Sequence, residues 1–151
     1  MAILNYTTRI GATKTLGEMQ TMLAKHGAAR VAVDYDDGIP SGISFYLNTP
    51  HGMRAFSLPV NMDAMHVLLV RQEQAGLLKA GSKADRSSRA QAERVAWRVM
   101  KDWLSAQLAL VETEMATIDQ VMLPYLHVDG EKTLYAAYSE REDLIAIEAR
   151  R

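Results

Sequence analysis

Ser88–Thr117, SRAQAERVAWRVMKDWLSAQLALVETEMAT, is the longest uninterrupted helical pattern in the chain and holds both tryptophans. Ser88 followed by Gln91 reads as a capping box, in which the serine oxygen accepts a backbone N–H and the glutamine reaches back. No proline or glycine interrupts the stretch, and strong helix formers fill it. Ala92, Ala96, Val99, Trp103, Ala106 and Leu110 recur every three or four residues and share one stripe. Val95, Leu104, Leu108, Val111, Met115 and Ile118 widen that stripe beyond a coiled-coil seam. Such a helix is expected in the core, touched on two sides or covered by a second subunit. At ~1.5 Å per residue it would run about 45 Å, longer than a small domain is wide, so it breaks or its end meets a partner.

The polar residues of this helix separate by sign. Arg89, Arg94, Arg98 and Lys101 occupy its first half, and Glu112, Glu114 and Asp119 its end or just beyond. The helix dipole favours the reverse order, so local helix stability does not account for it. Arg94, Arg98 and Lys101 share a face that reads either as solvated, with Glu93 and Asp102 as partners, or as a surface for phosphate or an acidic partner. Between Arg71 and Lys101 lie eight basic and three acidic residues, so this segment carries +5 while the whole chain carries −1. A basic segment on a slightly acidic body suits nucleic acid or an acidic surface. The aromatic interleaving of a single-strand groove is missing, because Trp97 and Trp103 fall on the apolar stripe.

Outward from this helix the elements are short. Thr13–His26 reads as a helix opened by Thr15 and Glu18, with Leu16, Met19 and Leu23 inward. Arg30–Asp36, Gly42–Asn48 and Met53–Val60 alternate as three strands joined at Asp37-Gly38 and at Thr49–Gly52. Val31, Val33, Tyr35, Ile43, Phe45, Leu47, Phe56 and Leu58 are expected on the buried face. Asp34, Ser44, Tyr46, Asn48 and Arg54 are expected on the open one. Asn61 caps a helix to about Ala75, and residues 76–87 read as a flexible basic loop. Loops of this length in a compact domain tend to be functional or disordered. Beyond Pro124, a turn at Asp129-Gly130 precedes a short helix with Leu134, Tyr135 and Tyr138, and a charged tail runs from 139 to 151. The expected fold is α+β: one domain over 1–151, with a three- to four-stranded antiparallel meander, helices on one face and one long core helix.

The chemistry is bounded mainly by what is missing. With no cysteine, disulfides, zinc-thiolate centres, thiol catalysis and iron–sulfur clusters are excluded. Of phosphate-cradling glycine motifs, HExxH and the GxSxG elbow, the chain contains none. The four histidines are scattered singly: His26 at a helix end, His51 in a turn, His66 among methionines and leucines, and His127. Asp34–Gly38 reads as a hairpin turn with solvated carboxylates, since no EF-hand spacing follows; weak Mg²⁺ binding by Asp34 and Asp36 is the alternative. Nine methionines at helical spacing read as core filling. No catalytic residue, metal site or cofactor is expected. No basic and apolar leader opens the sequence and no apolar run is long enough to span a bilayer, which predicts a cytoplasmic protein with no membrane partner.

Four segments together resemble a family of small bacteriophage and prophage accessory proteins. They are AILNYTT with KTLGEMQTMLAKHGA, VDYDDG…GISFYLNTPHG…FSLPVN, the AERVAWRVMKDWLSAQLALVETEM helix, and VMLPYL. The resemblance implies a bacterial-host setting in DNA metabolism or host interaction, and no site residue.

Three functions of a non-catalytic binding protein follow as expectations. The first engages nucleic acid or a nucleoprotein complex through Lys79, Lys83, Arg86, Arg89, Arg94, Arg98 and Lys101. The second is a host-defence inhibitor that binds a defence protein or sequesters a nucleotide messenger, with Tyr46, Arg54 and Tyr125 as a ligand face if the fold unites them. The third is a homo-oligomeric scaffold paired through the long helix.

Overall fold

The structure, a computed structural model, describes residues 1–141. An N-terminal arm leads into α1 (Ala12–Lys25), then β1 (Arg30–Asp36), β2 (Ile39–Thr49), β3 (Gly52–Pro59) and α2 (Met62–Gln74). After a long connection come α3 (Arg89–Glu112), α4 (Ile118–Met122), a 3₁₀ turn (Leu123–Tyr125), β4 (His127–Asp129), β5 (Lys132–Thr133) and α5 (Leu134–Glu140). The class is α+β, with a three-stranded antiparallel meander in the order β1-β2-β3 and a separate two-stranded ribbon, β4-β5. Among the described residues no fourth strand joins the main sheet as a ladder; Leu126 makes a single antiparallel bridge to Phe56. Of the expected tail, Ser139 and Glu140 belong to α5 and residues 142–151 lie outside the described residues.

One face of the sheet is covered by α1 and α3. Leu16, Met19 and Leu23 of α1 meet Ile43, Phe45, Phe56 and Leu58 of the sheet, and Trp97, Leu104 and Leu108 of α3 close the core. The Phe45 and Phe56 rings stack across β2 and β3 with centroids 5.6 Å apart. Trp97 is fully buried, and its Nε1 donates to the Pro40 carbonyl at 3.2 Å. That bond satisfies the one polar atom an indole brings inside. A second, smaller cluster joins Leu69 of α2, Leu78 of the connection, and Ala92 and Val95 of α3. The two clusters account for the width of the apolar stripe within one chain, α1 lying against one side of α3 and α2 against another.

The long helix stops five residues before the sequence pattern does. Glu114 adopts φ 60°, so its N–H reaches the Val111 carbonyl and the Met115 N–H reaches the Leu110 carbonyl, both at 3.1 Å. This is a Schellman stop, a motif that usually places glycine at the left-handed position. Here a glutamate fills it, so the sequence carries no stop signal. The remaining 24 residues span about 36 Å, which fits within the fold and leaves no projecting end. Thr117 and Gln120 form the real capping box, at the start of α4.

Other corrections are local. Ser88 caps α3 by accepting from Gln91 N at 3.1 Å, but the Gln91 side chain turns away to the N-terminal arm. Helix α1 starts at Ala12, so Thr15 is no cap; it is fully buried beside Arg98. A β-bulge between Asp34 and Tyr35 breaks the alternation of β1 and leaves Tyr35 63% exposed instead of inward. Arg54 pairs with Leu47, whose side chain is buried, so Arg54 falls on the core-facing side at its exposed end. The hairpin at Asp37-Gly38 has positive φ at both positions, 50° and 76°, as a two-residue turn of primed type demands.

Candidate anion-binding cleft

Three elements meet around the start of α3: the arm before α1, the connection between α2 and α3, and the first turns of α3 itself. The arm has no regular structure, so side chains hold it. Ile3 N–H donates to Gln72 Oε1 at 2.9 Å and Asn5 Nδ2 to Asp102 Oδ2 at 2.7 Å. The Gln91 amide, nearly wholly buried, donates to the Tyr6 and Thr8 carbonyls at 2.8 and 2.9 Å. A buried amide without partners would cost about 1–3 kcal/mol, so this glutamine fixes where the arm lies. The connection was expected as a flexible loop, yet Leu78 is buried in the second cluster. Arg86 grips Glu73 through both Nε and Nη2, the latter at 2.7 Å.

Between arm and connection opens a cleft of about 370 Å³. Tyr6, Thr7 and Arg9 form one wall, Ala80, Gly81 and Ser82 the other, and Asp85, Arg86 and Gln91 the floor. Arg9 Nη1 donates to Asp85 Oδ2 at 2.6 Å across it. That bond, with the nearby Arg9 and Arg94 charges, holds the Asp85 carboxyl below its ordinary range against a smaller opposing effect of burial. The Arg86 hydrogen bond does the same for Glu73, with weaker help from the Lys83 and Lys79 charges. Both carboxylates therefore stay ionised, and each occupies an arginine.

The seven basic residues singled out in the sequence divide. Lys79 and Lys83 are exposed on the connection and make no ion pair among the described residues. Arg89 pairs with Asp63. Arg94 donates from Nε to Gln91 Oε1 at 2.8 Å and stands 3.9 Å from Asp85. Arg98 donates to Glu18 Oε2 at 2.6 Å, clamping α3 to α1 with its side chain only 16% exposed. Lys101 lies 3.8 Å from Asp102. Arg94 and Arg98 are thus tied inside the fold, and Lys101 is half-buried beside its own neighbour, so the row is not an open basic face. Arg9 is the cleft cation that sequence reading missed: its partner lies 76 residues away, and nothing local marks it.

Tyr46, Arg54 and Tyr125 are not brought together. Tyr46 lies on the open sheet face beneath Arg30, 5.7 Å from its guanidinium. Arg54 donates to its neighbour's carbonyl, Met53 O, and Tyr125 packs edge-on against Trp103 with centroids 5.5 Å apart. On the same open face, Ser44 Oγ and Ser57 Oγ share a hydrogen bond of 2.8 Å, and Ser57 Oγ and His127 Nε2 one of 2.6 Å. No carboxylate is bonded to the other ring nitrogen among the described residues, so the pair lacks the orienting member of a triad. It ties β4 to the sheet. Two of the remaining histidines are also structural contacts: His26 bridges Met22 O and Glu112, and His51 stands 3.7 Å from Asp119; His66 sits on α2 beside Val67 and Val70.

Among the described residues no group of three or more His, Asp or Glu side chains is placed to hold a metal ion. None of their helices is long and apolar enough to cross a membrane. No family model, curated protein or solved structure matches the chain.

Proposed function

We propose that this chain is a non-catalytic, phage-type accessory binding protein that engages nucleic acid through its phosphates. Contact centres on the cleft between arm and connection, and the flank of α3 serves the fold. The observation that carries this reading is the placement of two exposed lysines, Lys79 and Lys83, without an ion pair among the described residues, on the segment whose Ala80–Ser82 wall a cleft lined by Arg9 and Arg86. Each phosphate neutralised releases counterions, so affinity must fall steeply with salt. The test is fluorescence anisotropy of labelled single- and double-stranded oligonucleotides across a salt series. Wild type binds with a negative log–log slope, and Lys79→Ala with Lys83→Ala flattens it by roughly 0.7–0.9 per charge removed. Affinity that persists at high salt, or a slope indifferent to these lysines, overturns the reading.

A second reading keeps the cleft and changes the ligand to a free nucleotide, as in messenger sequestration by a host-defence inhibitor. The observation in its favour is size: about 370 Å³ falls at the small end of ligand pockets, roughly 300–1,000 Å³. Nucleotide released on denaturing the purified protein, and retained through high salt before that, would select it over the first.

A further inference from the structure

We propose that β1 is a self-pairing edge, and that two copies of this chain join antiparallel along it about a two-fold axis at Ala32. The order β1-β2-β3 leaves β1 without a strand partner on its outer side among the described residues. At the opposite edge Leu126 already bridges to Phe56. An open edge presents unpaired backbone donors and acceptors and is a template for another strand unless charge, proline or a bulge blunts it. In β1 the bulge comes only after Asp34, and the five residues before it, Arg30–Asp34, contain no proline or glycine.

Those five residues are complementary to themselves. The register with β2 places Arg30, Ala32 and Asp34 on the open face and Val31 and Val33 on the core side. With the axis at Ala32, Arg30 stands opposite the partner's Asp34 and Asp34 opposite the partner's Arg30. Val31 stands opposite the partner's Val33, and Val33 opposite the partner's Val31. Opposite charges and β-branched pairs directly across a ladder each stabilise it. The small side chain of Ala32 meets its own copy at the axis. Moving the axis to Val31 leaves Arg30 without a carboxylate; moving it to Val33 carries the ladder through the bulge. Only the Ala32 register gives two ion pairs within regular strand. A five-residue ladder buries less than a standard interface of roughly 1,600 Å², so the dimer is weak and depends on concentration. This replaces the long helix, whose stripe packs largely against α1, α2 and the sheet within the chain, as the pairing element.

Sedimentation velocity over a wide concentration range reads the result. Wild type shifts from monomer towards dimer as concentration rises. Asp34→Arg and Arg30→Asp each replace two attractions with two repulsions and weaken the dimer by roughly tenfold or more. The double variant, R30D with D34R, restores it. A monomer at every concentration overturns the proposal, as does a dimer indifferent to the single reversals, or a swap that fails to rescue. Near-UV circular dichroism checks that each variant is folded. Because the chain has no cysteine, Ala32→Cys supplies a lone thiol that does not depend on the charge variants. Mild oxidation should give a disulfide-linked dimer from Ala32→Cys and not from Thr13→Cys on α1. Equal cross-linking of the two overturns the proposal.

Discussion

The flank of α3 and the connection beside the cleft carry the same residue types within one run of sequence, yet their surroundings differ. On the flank, Arg94, Arg98 and Lys101 are half-buried and turned to Gln91, Glu18 and Asp102. Beside the cleft, Lys79 and Lys83 stand in solvent on the connection, outside the cleft lining, and Arg9, which lines it, keeps a side chain 72% exposed despite its bond to Asp85. A count of positive charge cannot tell a clamp from a solvated cation; the positions of the acids decide. Glu18 lies where α1 and α3 approach and Asp102 where the arm meets α3, while among the described residues no acid is paired with the connection's lysines.

The widest separation of the two regions is expected from a triple variant of the cleft and connection, Arg9→Ala with Lys79→Ala and Lys83→Ala. On the proposed function, removing these three cations should lower oligonucleotide affinity more than tenfold at moderate salt, with an unchanged melting temperature. A fall in melting temperature of several degrees would show that these cations, too, are structural. Next in size is Arg98→Ala. It strands Glu18 and Thr15 at the α1–α3 contact and should cost about 1–2 kcal/mol in urea denaturation, with binding intact. If Arg98→Ala instead abolishes binding at unchanged stability, the division made above fails.

A smaller effect tests the far end of the same helix, where no cation clamps. Glu114→Gly relieves a left-handed backbone that glycine adopts freely, and should stabilise by about 0.5–1 kcal/mol. The smallest concerns pH. Glu73 and Asp85 are held below their ordinary values of 4.5 and 3.8, so each contributes stability above that value. The contribution is lost as pH falls through the lower, folded one. Melting temperatures of Glu73→Gln and wild type should therefore converge in acid and differ near neutrality. A constant gap down to low pH would mean that the Glu73–Arg86 contact is not ionic in origin.

Much of the fold was legible because its signals are local. The alternation of Arg30–Asp36, the turn at Asp37-Gly38 and the caps Asn61 and Ser88 all act within a few residues, and each element formed where the pattern placed it. What failed was non-local or used an unusual residue. Glu114 ends α3 in a conformation that usually calls for glycine. Tyr35 left the buried face because one bulge shifts the register, and Arg54 was set on the wrong face although Phe56 and Leu58 fix its parity. For the site, Lys79, Lys83 and Arg86 were visible as charge, whereas Arg9 required the arm to be placed. The Ser57–His127 bond joins residues 70 apart, with no spacing to announce it.

Gln91 carries a further consequence, in the language of exchange rates. The arm is fastened to α3 by the two carbonyls that this buried amide holds, and its Ile3 and Tyr6 pack on the smaller cluster, apart from the Trp97 core. Few apolar contacts and a handful of side-chain bonds define a unit that opens before the whole molecule does. The amides of residues 3–10 and 77–88 should then lose protection together, at a free energy well below global unfolding. Gln91→Ala should speed their exchange while the amides of β2 remain slow. The cleft would have a hinged wall, and the rate at which that wall opens would set the rate at which a ligand leaves.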